Sequence, residues 1–149
     1  MNPRIYVLTL SSFAFGSAAF IFAGLLEPMA ADLGVSTAVA GQLQTAYVLT
    51  AALLGPAVAH ALDRVDRRLV VVAGLAMGLV LHLACAVTPN FATLLVLRGL
   101  AGLAGAMAGP AASVAAASLA SPERRGSAVA TVAGGLTLAF VLGIPLGSV

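Results

Sequence analysis

The residues from Ala59 to Leu69 read Ala-His-Ala-Leu-Asp-Arg-Val-Asp-Arg-Arg-Leu and decide how the rest of the chain is organised. The chain has twelve charged residues, seven arginines and five carboxylates. Five of the twelve lie within residues 63–68. The segments 33–62 and 69–97 on either side contain no Asp, Glu, Lys or Arg. A short charged segment between two long apolar runs is typical of a loop that joins two transmembrane helices. Because Lys and Arg near helix ends stay on the cytoplasmic side, this loop also indicates an orientation.

The composition points to lipid as the surrounding solvent. Of the 149 residues, 61% are hydrophobic and 8% are charged, and the mean hydropathy is +1.10. A soluble domain carries roughly 25% charged residues, so too few polar side chains exist here to cover a water-soluble globule. The pI of about 9.3 reflects a small excess of arginine over carboxylate. We therefore expect a lipid bilayer as partner, and no nucleic acid.

Five apolar segments are long enough to cross a hydrocarbon layer of about 30 Å. They are predicted at residues 5–26, 39–62, 67–87, 91–119 and 126–149. The predicted fold class is therefore an all-α integral membrane protein with about five transmembrane helices. Glu27, Pro28 and Asp32 follow the first segment and mark an acidic outer loop. Because no small-residue cleavage site stands there, the first segment is interpreted as a span and not as a signal peptide.

Helix start signals precede four of these spans. Ser36 or Thr37, Asp66 and Asn90 are the expected N-caps of the second, third and fourth spans. The segment 121–125 places Ser, Pro and Glu in the order that opens a helix, so it is predicted to start the fifth span.

The distribution of arginine predicts the orientation of the bundle. The tail and the loops after the second and fourth spans lie on one side of the membrane, and the two opposite loops contain no arginine. The arginines on the first side are Arg4, Arg64, Arg67, Arg68, Arg124 and Arg125. The N-terminus is therefore expected in the cytoplasm.

Small residues recur one helical turn apart in three spans. The pairs are Gly74-x-x-x-Gly78, Gly105-x-x-x-Gly109 and Gly143-x-x-x-Gly147. Such pairs permit close approach of helix backbones in lipid, where dispersion drives association. Together with Pro56, Pro110 and Pro145 they predict a tightly packed bundle with bendable helices.

Arg98 is the only charged residue within the interior of a predicted span. It lies seven residues after Phe91, so about 10 Å below the outer boundary. A guanidinium at that depth costs several kcal/mol unless it faces a cavity or a partner. One interpretation is a side chain that reaches the outer surface. We favour the other, a fixed positive charge beside a central pathway.

No group suited to bond-breaking chemistry or metal binding is visible, so we expect neither an enzyme nor a cofactor or metal. Cys85 lies alone in an apolar run, which indicates neither a disulfide nor a thiolate site. His60 and His82 are predicted about 20 Å apart in depth on adjacent antiparallel spans, so they cannot share a metal. Each is interpreted as a packing residue in preference to a proton relay.

The order of these features resembles the N-terminal half of a major facilitator superfamily transporter. It is most similar to the bacterial drug and sugar efflux group, which includes the arabinose-efflux and chloramphenicol-resistance types. The resemblance implies the first half of a twelve-helix fold in a bacterial inner membrane. On this reading 1–149 is an N-terminal helix bundle, apparently incomplete at its C-terminus, whose partner is the missing C-terminal half.

The family's loop signature, Gly-x-x-x-Asp-Arg-x-Gly-Arg-Arg, matches the charged loop at four positions. Ala59 and Asp66 replace its two glycines. The resemblance implies that the matching residues close a cytoplasmic gate against the other half of the transporter. The alternative is that the loop sets orientation alone. The four positions are Asp63, Arg64, Arg67 and Arg68.

Two further family motifs match in part. Arg-x-x-Gln-Gly in the fourth span corresponds to Arg98 and Gly102, with Ala101 in place of glutamine. In the family this arginine is associated with proton coupling. The antiporter signature of the fifth span appears as Gly134-Gly135 and as 143–147, where the resemblance implies a bending helix. The residues assigned to that role are Gly135, Gly143, Pro145 and Gly147.

One departure concerns proton coupling. Ala19 lies where many relatives carry an acidic residue in the first span. Coupling would then move to His60, to His82 or to an acid in the other half, or be lost.

The resemblance implies proton-coupled efflux of a small organic molecule, such as a drug or a sugar, by alternating access. Phe20, Gln44 and Tyr47 are candidates for the wall of a substrate cavity, and ordinary helix packing is the alternative. Small-molecule substrate and protons are the implied partners. A different hypothesis is that the five spans form a membrane assembly subunit, or an inactive fragment, that does not transport.

Overall fold

The structure, a computed structural model, describes the backbone of residues 2–147 and the side chains of residues 2–142 and 145. This part of the chain is helical throughout except for short connections. The helices are α1 (Pro3–Gly24), α2 (Leu26–Asp32), α3 (Thr37–Ala61), α4 (Arg67–Ala86), α5 (Phe91–Ser118) and α6 (Arg125–Gly147). Five of them, all except α2, are long and apolar enough to cross a membrane. The prediction of an all-helical membrane protein with five spans is therefore confirmed.

The predicted capping residues begin three of the helices. Ser36 accepts a hydrogen bond from the backbone N–H of Val39 at 3.3 Å and so begins α3. Asp66 accepts from the N–H of Arg68 at 2.7 Å and begins α4. Asn90 begins α5 in the same way. Short polar side chains thus satisfy N–H groups that the first turn of each helix leaves free.

Two connections differ from the sequence-based expectation. The acidic segment after the first span, expected as a loop, contains the short helix α2. Glu27 lies in its first turn, where a carboxylate interacts favourably with the helix dipole. At the start of the fifth span, Ser121 occupies the N-cap position without a side-chain cap, and a single 3-10 turn (Pro122–Arg124) precedes α6.

Helix α5 is the centre of the bundle. It packs against α3 on one side and against α4 on another, and it also contacts α1 and α6, which pack closely against each other. One apolar cluster, around Ile5, Val71 and Ala112, lies at the end of the bundle that carries the arginine-rich loop. A second cluster, formed by Phe22, Leu43 and Leu94, lies towards the opposite end.

Some of the predicted small-residue pairs allow close helix contacts and others do not. A Cβ added to Gly74 would lie 3.0 Å from the Cβ of Ala108 on α5. A Cβ added to Gly78 would lie 3.0 Å from the ring of Phe15 on α1. Gly105 also lies against a neighbouring helix, whereas a Cβ at Gly109 would have no neighbour within 4 Å. The prediction is therefore right for three of these four glycines. Gly143 and Gly147 lie outside the residues whose side-chain surroundings are described.

Gly135 allows the close contact between α1 and α6. A Cβ at this position would overlap the backbone carbonyl oxygen of Thr9 on α1. The hydroxyl of Thr9 lies at this contact. Its oxygen is 3.0 Å from the carbonyl oxygen of Ile5 in its own helix and 3.3 Å from that of Thr131 on α6, so its single proton is shared between these two acceptors. A Cβ on the neighbouring Gly134 would have no atom within 4 Å, so Gly134 faces away from α1.

We expect Gly135→Ala to separate α1 from α6, because the atom in the way belongs to the backbone and cannot rotate aside. The free energy of unfolding should fall by about 1–3 kcal/mol, as for other overpacked cores. Chemical denaturation in mixed detergent micelles measures this change. Gly134→Ala is the matched control and should be neutral or slightly stabilising, because alanine favours the helix. Equal effects of the two variants would contradict the close contact at Gly135.

Candidate functional site: a buried arginine beside an interhelical cavity

Arg98 on α5 is a buried charge in the middle of the helix bundle. Its side chain is 3% exposed, and it is the only charged residue buried among those that the structure describes. The side chain does not extend to the outer surface, so the first interpretation offered above does not fit its position. Its role beside a pathway stays a prediction.

Two neighbouring helices contact the guanidinium of Arg98. Its central carbon lies 4.4 Å from the ring centroid of Phe22 on α1 and 4.7 Å from that of Tyr47 on α3. Nη2 donates a hydrogen bond of 2.6 Å to Oε1 of Gln44, which is also on α3. Aromatic faces stabilise a desolvated cation through their quadrupole. The two rings and the amide therefore replace part of the water that the cation loses on burial.

The hydrogen-bonding capacity of Arg98 is mostly unused. A guanidinium has five N–H donors, and Gln44 is the one acceptor that Arg98 reaches within the described part of the chain. Its Nε is buried and has no hydrogen-bond partner there. No carboxylate of residues 2–142 forms an ion pair with it. The site therefore carries an uncompensated positive charge.

Gly102, one turn after Arg98, permits the contact between α5 and α3 at this site. A Cβ on Gly102 would overlap the backbone carbonyl oxygen of Tyr47. Further along the same face, a Cβ on Gly105 would lie 2.8 Å from the Tyr47 hydroxyl oxygen. Glycine at both positions lets the backbone of α3 approach closely and places the Tyr47 ring over the guanidinium. This gives Gly102 a packing role that the sequence motif alone does not reveal.

A cavity of about 370 Å³ lies between α1, α3, α5 and α6, next to Arg98. The three residues proposed above as cavity residues, Phe20, Gln44 and Tyr47, all lie on its wall. Phe20 also packs edge-to-face on Phe140 of α6, with ring centroids 4.9 Å apart. Whether these residues bind a substrate stays a prediction. Ala19, at the position of the missing acid, lines the same cavity.

Phe22 is the site residue that sequence reasoning missed. Six phenylalanines are distributed over the spans, and none of them carries a local signal for contact with a cation. Phe22 lies two residues after Phe20, so the two rings point to different sides of α1. Its contact with Arg98 depends on how α1 is rotated about its axis in the bundle.

In the charged loop, the structure brings two of the four predicted gate residues together. Arg67 forms an ion pair with Asp63 at 2.8 Å. The Arg67 guanidinium also donates to the backbone carbonyls of Leu62 at 3.4 Å and Asp63 at 3.2 Å, which follow α3. A cation at this place interacts favourably with the C-terminal end of the helix dipole and offsets the unfavourable carboxylate of Asp63. Arg64 and Arg68 are exposed and form no ion pair within residues 2–142.

The histidines lie apart from the buried arginine. His60 is exposed near the end of α3. His82 on α4 has Nδ1 2.6 Å from the carbonyl oxygen of Gly78, while its Nε2 is buried without a hydrogen-bond partner in the described region. Among the residues described, no three metal-binding side chains lie together. Of the fifth-span motif, Gly135 lies against α1, and Pro145 lies within the continuous α6.

These features define a multi-pass helical membrane protein with a buried cation beside a cavity between helix pairs. Residues 8–149 match the Major Facilitator Superfamily, so the chain belongs to this family. The resemblance described above is therefore confirmed.

Several relatives match nearly the whole chain. The uncharacterized MFS-type transporter YfhI of Bacillus subtilis is 34% identical over 97% of the chain and 36% of its own length. A chloramphenicol resistance protein of Streptomyces lividans is 34% identical over 99% of the chain and 38% of its own length. The inner membrane transport protein YdhP of Escherichia coli is 33% identical over 97% of the chain and 37% of its own length. The chain thus spans little more than a third of these relatives.

We expect Gln44→Leu to destabilise the bundle, because it removes the hydrogen-bond acceptor of a buried guanidinium. Hydrogen bonds to charged groups contribute about 1.5–3 kcal/mol, so the melting temperature in detergent should fall clearly. Gln42→Leu is the matched control, since Gln42 lies on the same helix and is exposed. Circular dichroism during heating measures both variants. If they melt at the same temperature, the hydrogen bond to Arg98 does not contribute to stability.

Proposed function

We propose that the chain forms the N-terminal part of a transporter that exports a small organic molecule, such as a drug or a sugar, by alternating access in exchange for protons. The observation that carries this proposal is the buried, uncompensated Arg98 beside an interhelical cavity. A charge that costs free energy in lipid is retained most readily where it has a functional use. The names of two relatives, a chloramphenicol resistance protein and an inner membrane transport protein, support transport.

The arrangement of the helices suits alternating access. The cavity lies between the pair α1–α6 and the pair α3–α5, and in the proposed transporter the two halves rock against each other around it. Contacts between α1 and α3 are few, which leaves that side of the cavity free to open. In the proposed transporter a C-terminal half supplies the remaining wall.

Proton coupling in this proposal depends on Arg98 and on an acid from the other half. Ala19 contributes no carboxylate to the cavity, and the long helices contain no Asp or Glu within their described interiors. A carboxyl group that approaches Arg98 would be stabilised in its ionised form by the positive charge. Substrate binding that separates the two groups would then favour proton uptake. His82 is a second candidate carrier, because its Nε2 has no partner among the described residues.

The charged loop is proposed as a gate at the cytoplasmic end of the bundle. Its ion pair between Asp63 and Arg67 joins the end of α3 to the start of α4, so the two helices would move together. The exposed Arg64 and Arg68 are available to pair with acids of the other half. By the positive-inside rule, the excess of arginine at this end supports a cytoplasmic location for it and for the N-terminus, in the inner membrane of a bacterial cell.

We expect Arg98→Ala to abolish export by the full-length transporter without reducing its amount in the membrane. The substitution removes the positive charge beside the cavity, on which the proposed coupling depends. Export of a fluorescent drug from cells, with immunoblotting of the membrane fraction, measures both quantities. Arg124→Ala is the control, because Arg124 is an exposed arginine of the loop before α6. Undiminished export by Arg98→Ala would refute the role of the charge, and lack of export by every variant would favour the non-transporting assembly subunit.

We expect Asp63→Asn to slow turnover more than it weakens substrate binding, because the residue acts at the gate and not in the cavity. Kinetics of export in proteoliposomes separate the maximal rate from the half-saturating substrate concentration. Asp66→Asn is the matched control, since asparagine also caps a helix and α4 should still begin there. A proportional loss of rate and affinity in Asp63→Asn would argue against a gate.

A further inference from the structure

We infer that the cavity favours neutral and anionic aromatic molecules over organic cations, and that Arg98 determines this selectivity. The inference rests on the proposed function in that it names the substrate class of the same site. Arg98 itself lies just behind the cavity wall. Gln44 and Tyr47 both line the wall and contact its guanidinium directly.

The first argument concerns the distribution of charge along the chain. All five carboxylates lie outside the long described helices, in α2, in the loop after α3 or in the 3-10 turn before α6. They are Glu27, Asp32, Asp63, Asp66 and Glu123. In the proposed function substrate binding separates Arg98 from the acid of the other half. An organic cation bound in that state would find no opposite charge from the described helices and would meet the positive field of Arg98. Charge interactions in a low-dielectric interior act over several ångströms, so this repulsion reaches the cavity.

The second argument concerns the aromatic faces. Organic cations are often bound by aromatic rings without any carboxylate, through the same quadrupole that stabilises a guanidinium. Here the faces of Phe22 and Tyr47 are already turned towards Arg98, at 4.4 Å and 4.7 Å from its central carbon. These two rings cannot offer the same faces to a cationic substrate. At the Arg98 end of the cavity these two aromatic faces are therefore already used, which leaves Phe15 and Phe20 as the other aromatic residues of the wall.

The third argument concerns what the site lacks. Arg98 has unused N–H donors, including a buried Nε without a partner in the described chain, and buried donors without acceptors are costly. The cavity wall is mainly apolar, with hydroxyl groups at Ser11, Ser12 and Ser113. An aromatic molecule that carries a carboxylate or another acceptor oxygen complements the apolar wall and the positive charge behind it, without reaching the buried Nε itself. Its apolar body fits the wall, and its oxygen meets the positive field.

A matched set of probes tests this selectivity. The full-length transporter is placed in nanodiscs of phosphatidylcholine, which has no net charge, and binding of 2-naphthoate, 2-naphthalenemethanol and 2-naphthylmethylammonium at neutral pH is measured by equilibrium dialysis. Naphthalene fluorescence reports the free concentration, and empty nanodiscs correct for partition into lipid. We expect the anion to bind at least about tenfold more tightly than the cation, with the alcohol between them, because a nearby buried charge acts with opposite sign on the two ions.

The variants assign the preference to one residue. Arg98→Gln should bring the three affinities together, whereas Arg98→Lys, which keeps the charge, should preserve their order. Arg124→Gln removes an equal charge from an exposed position away from the cavity and should leave the preference unchanged. Equal or tighter binding of the cation, a preference that survives in Arg98→Gln, or no binding of any probe would each overturn the inference.

The outcomes also separate this inference from the proposed function. A preference for the anion in nanodiscs together with no export by the full-length protein would refute transport and leave the charge selectivity intact. Export that does not distinguish anionic from cationic substrates would refute the selectivity and leave transport intact.

Discussion

The burial of the Arg98 guanidinium is the interaction on which the rest of the site depends. A cation within an apolar bundle must be stabilised by the protein, because lipid offers nothing in place of water. Here α1 contributes the ring of Phe22, and α3 contributes the ring of Tyr47 and the amide of Gln44. The three helices cannot rotate independently without exposing this charge. Their relative orientation is therefore coupled to a single side chain of α5.

Close packing in this bundle depends on which glycines face a neighbouring backbone. Gly102 lets α3 approach α5 at Tyr47, and Gly135 lets α1 approach α6 at Thr9. In lipid, such contacts give dispersion energy that larger residues would prevent. Because the pairs α1–α6 and α3–α5 pack closely within themselves and weakly across α1 and α3, a cavity remains between them. The same packing thus creates both the stable pairs and the space beside Arg98.

Family membership establishes the class of protein, whereas the site geometry bears on its substrate and coupling. The match to the Major Facilitator Superfamily covers residues 8–149 and establishes the family. Substrate and coupling depend on the residues around the cavity. Here Ala19 lines the cavity, and the arginine behind its wall has no carboxylate partner in residues 2–142. A carboxylate beside the cavity would have balanced the charge of Arg98. Its absence from the described helices is why the electrostatics of the cavity become informative about substrate class.

The sequence by itself determined the five spans, their N-caps at Ser36, Asp66 and Asn90, and the presence of a charge in the fourth span. These features follow from local rules: the length of apolar runs, the capping preference of short polar residues and the cost of a charge in lipid. Only the tertiary structure decided that Phe22 faces Arg98, that Gly135 and not Gly134 touches α1, and that the charged loop pairs Asp63 with Arg67. In spans that are apolar on nearly every side, the sequence carries little periodic signal for the inward face. The rotation of each helix about its axis is therefore set by packing against its neighbours.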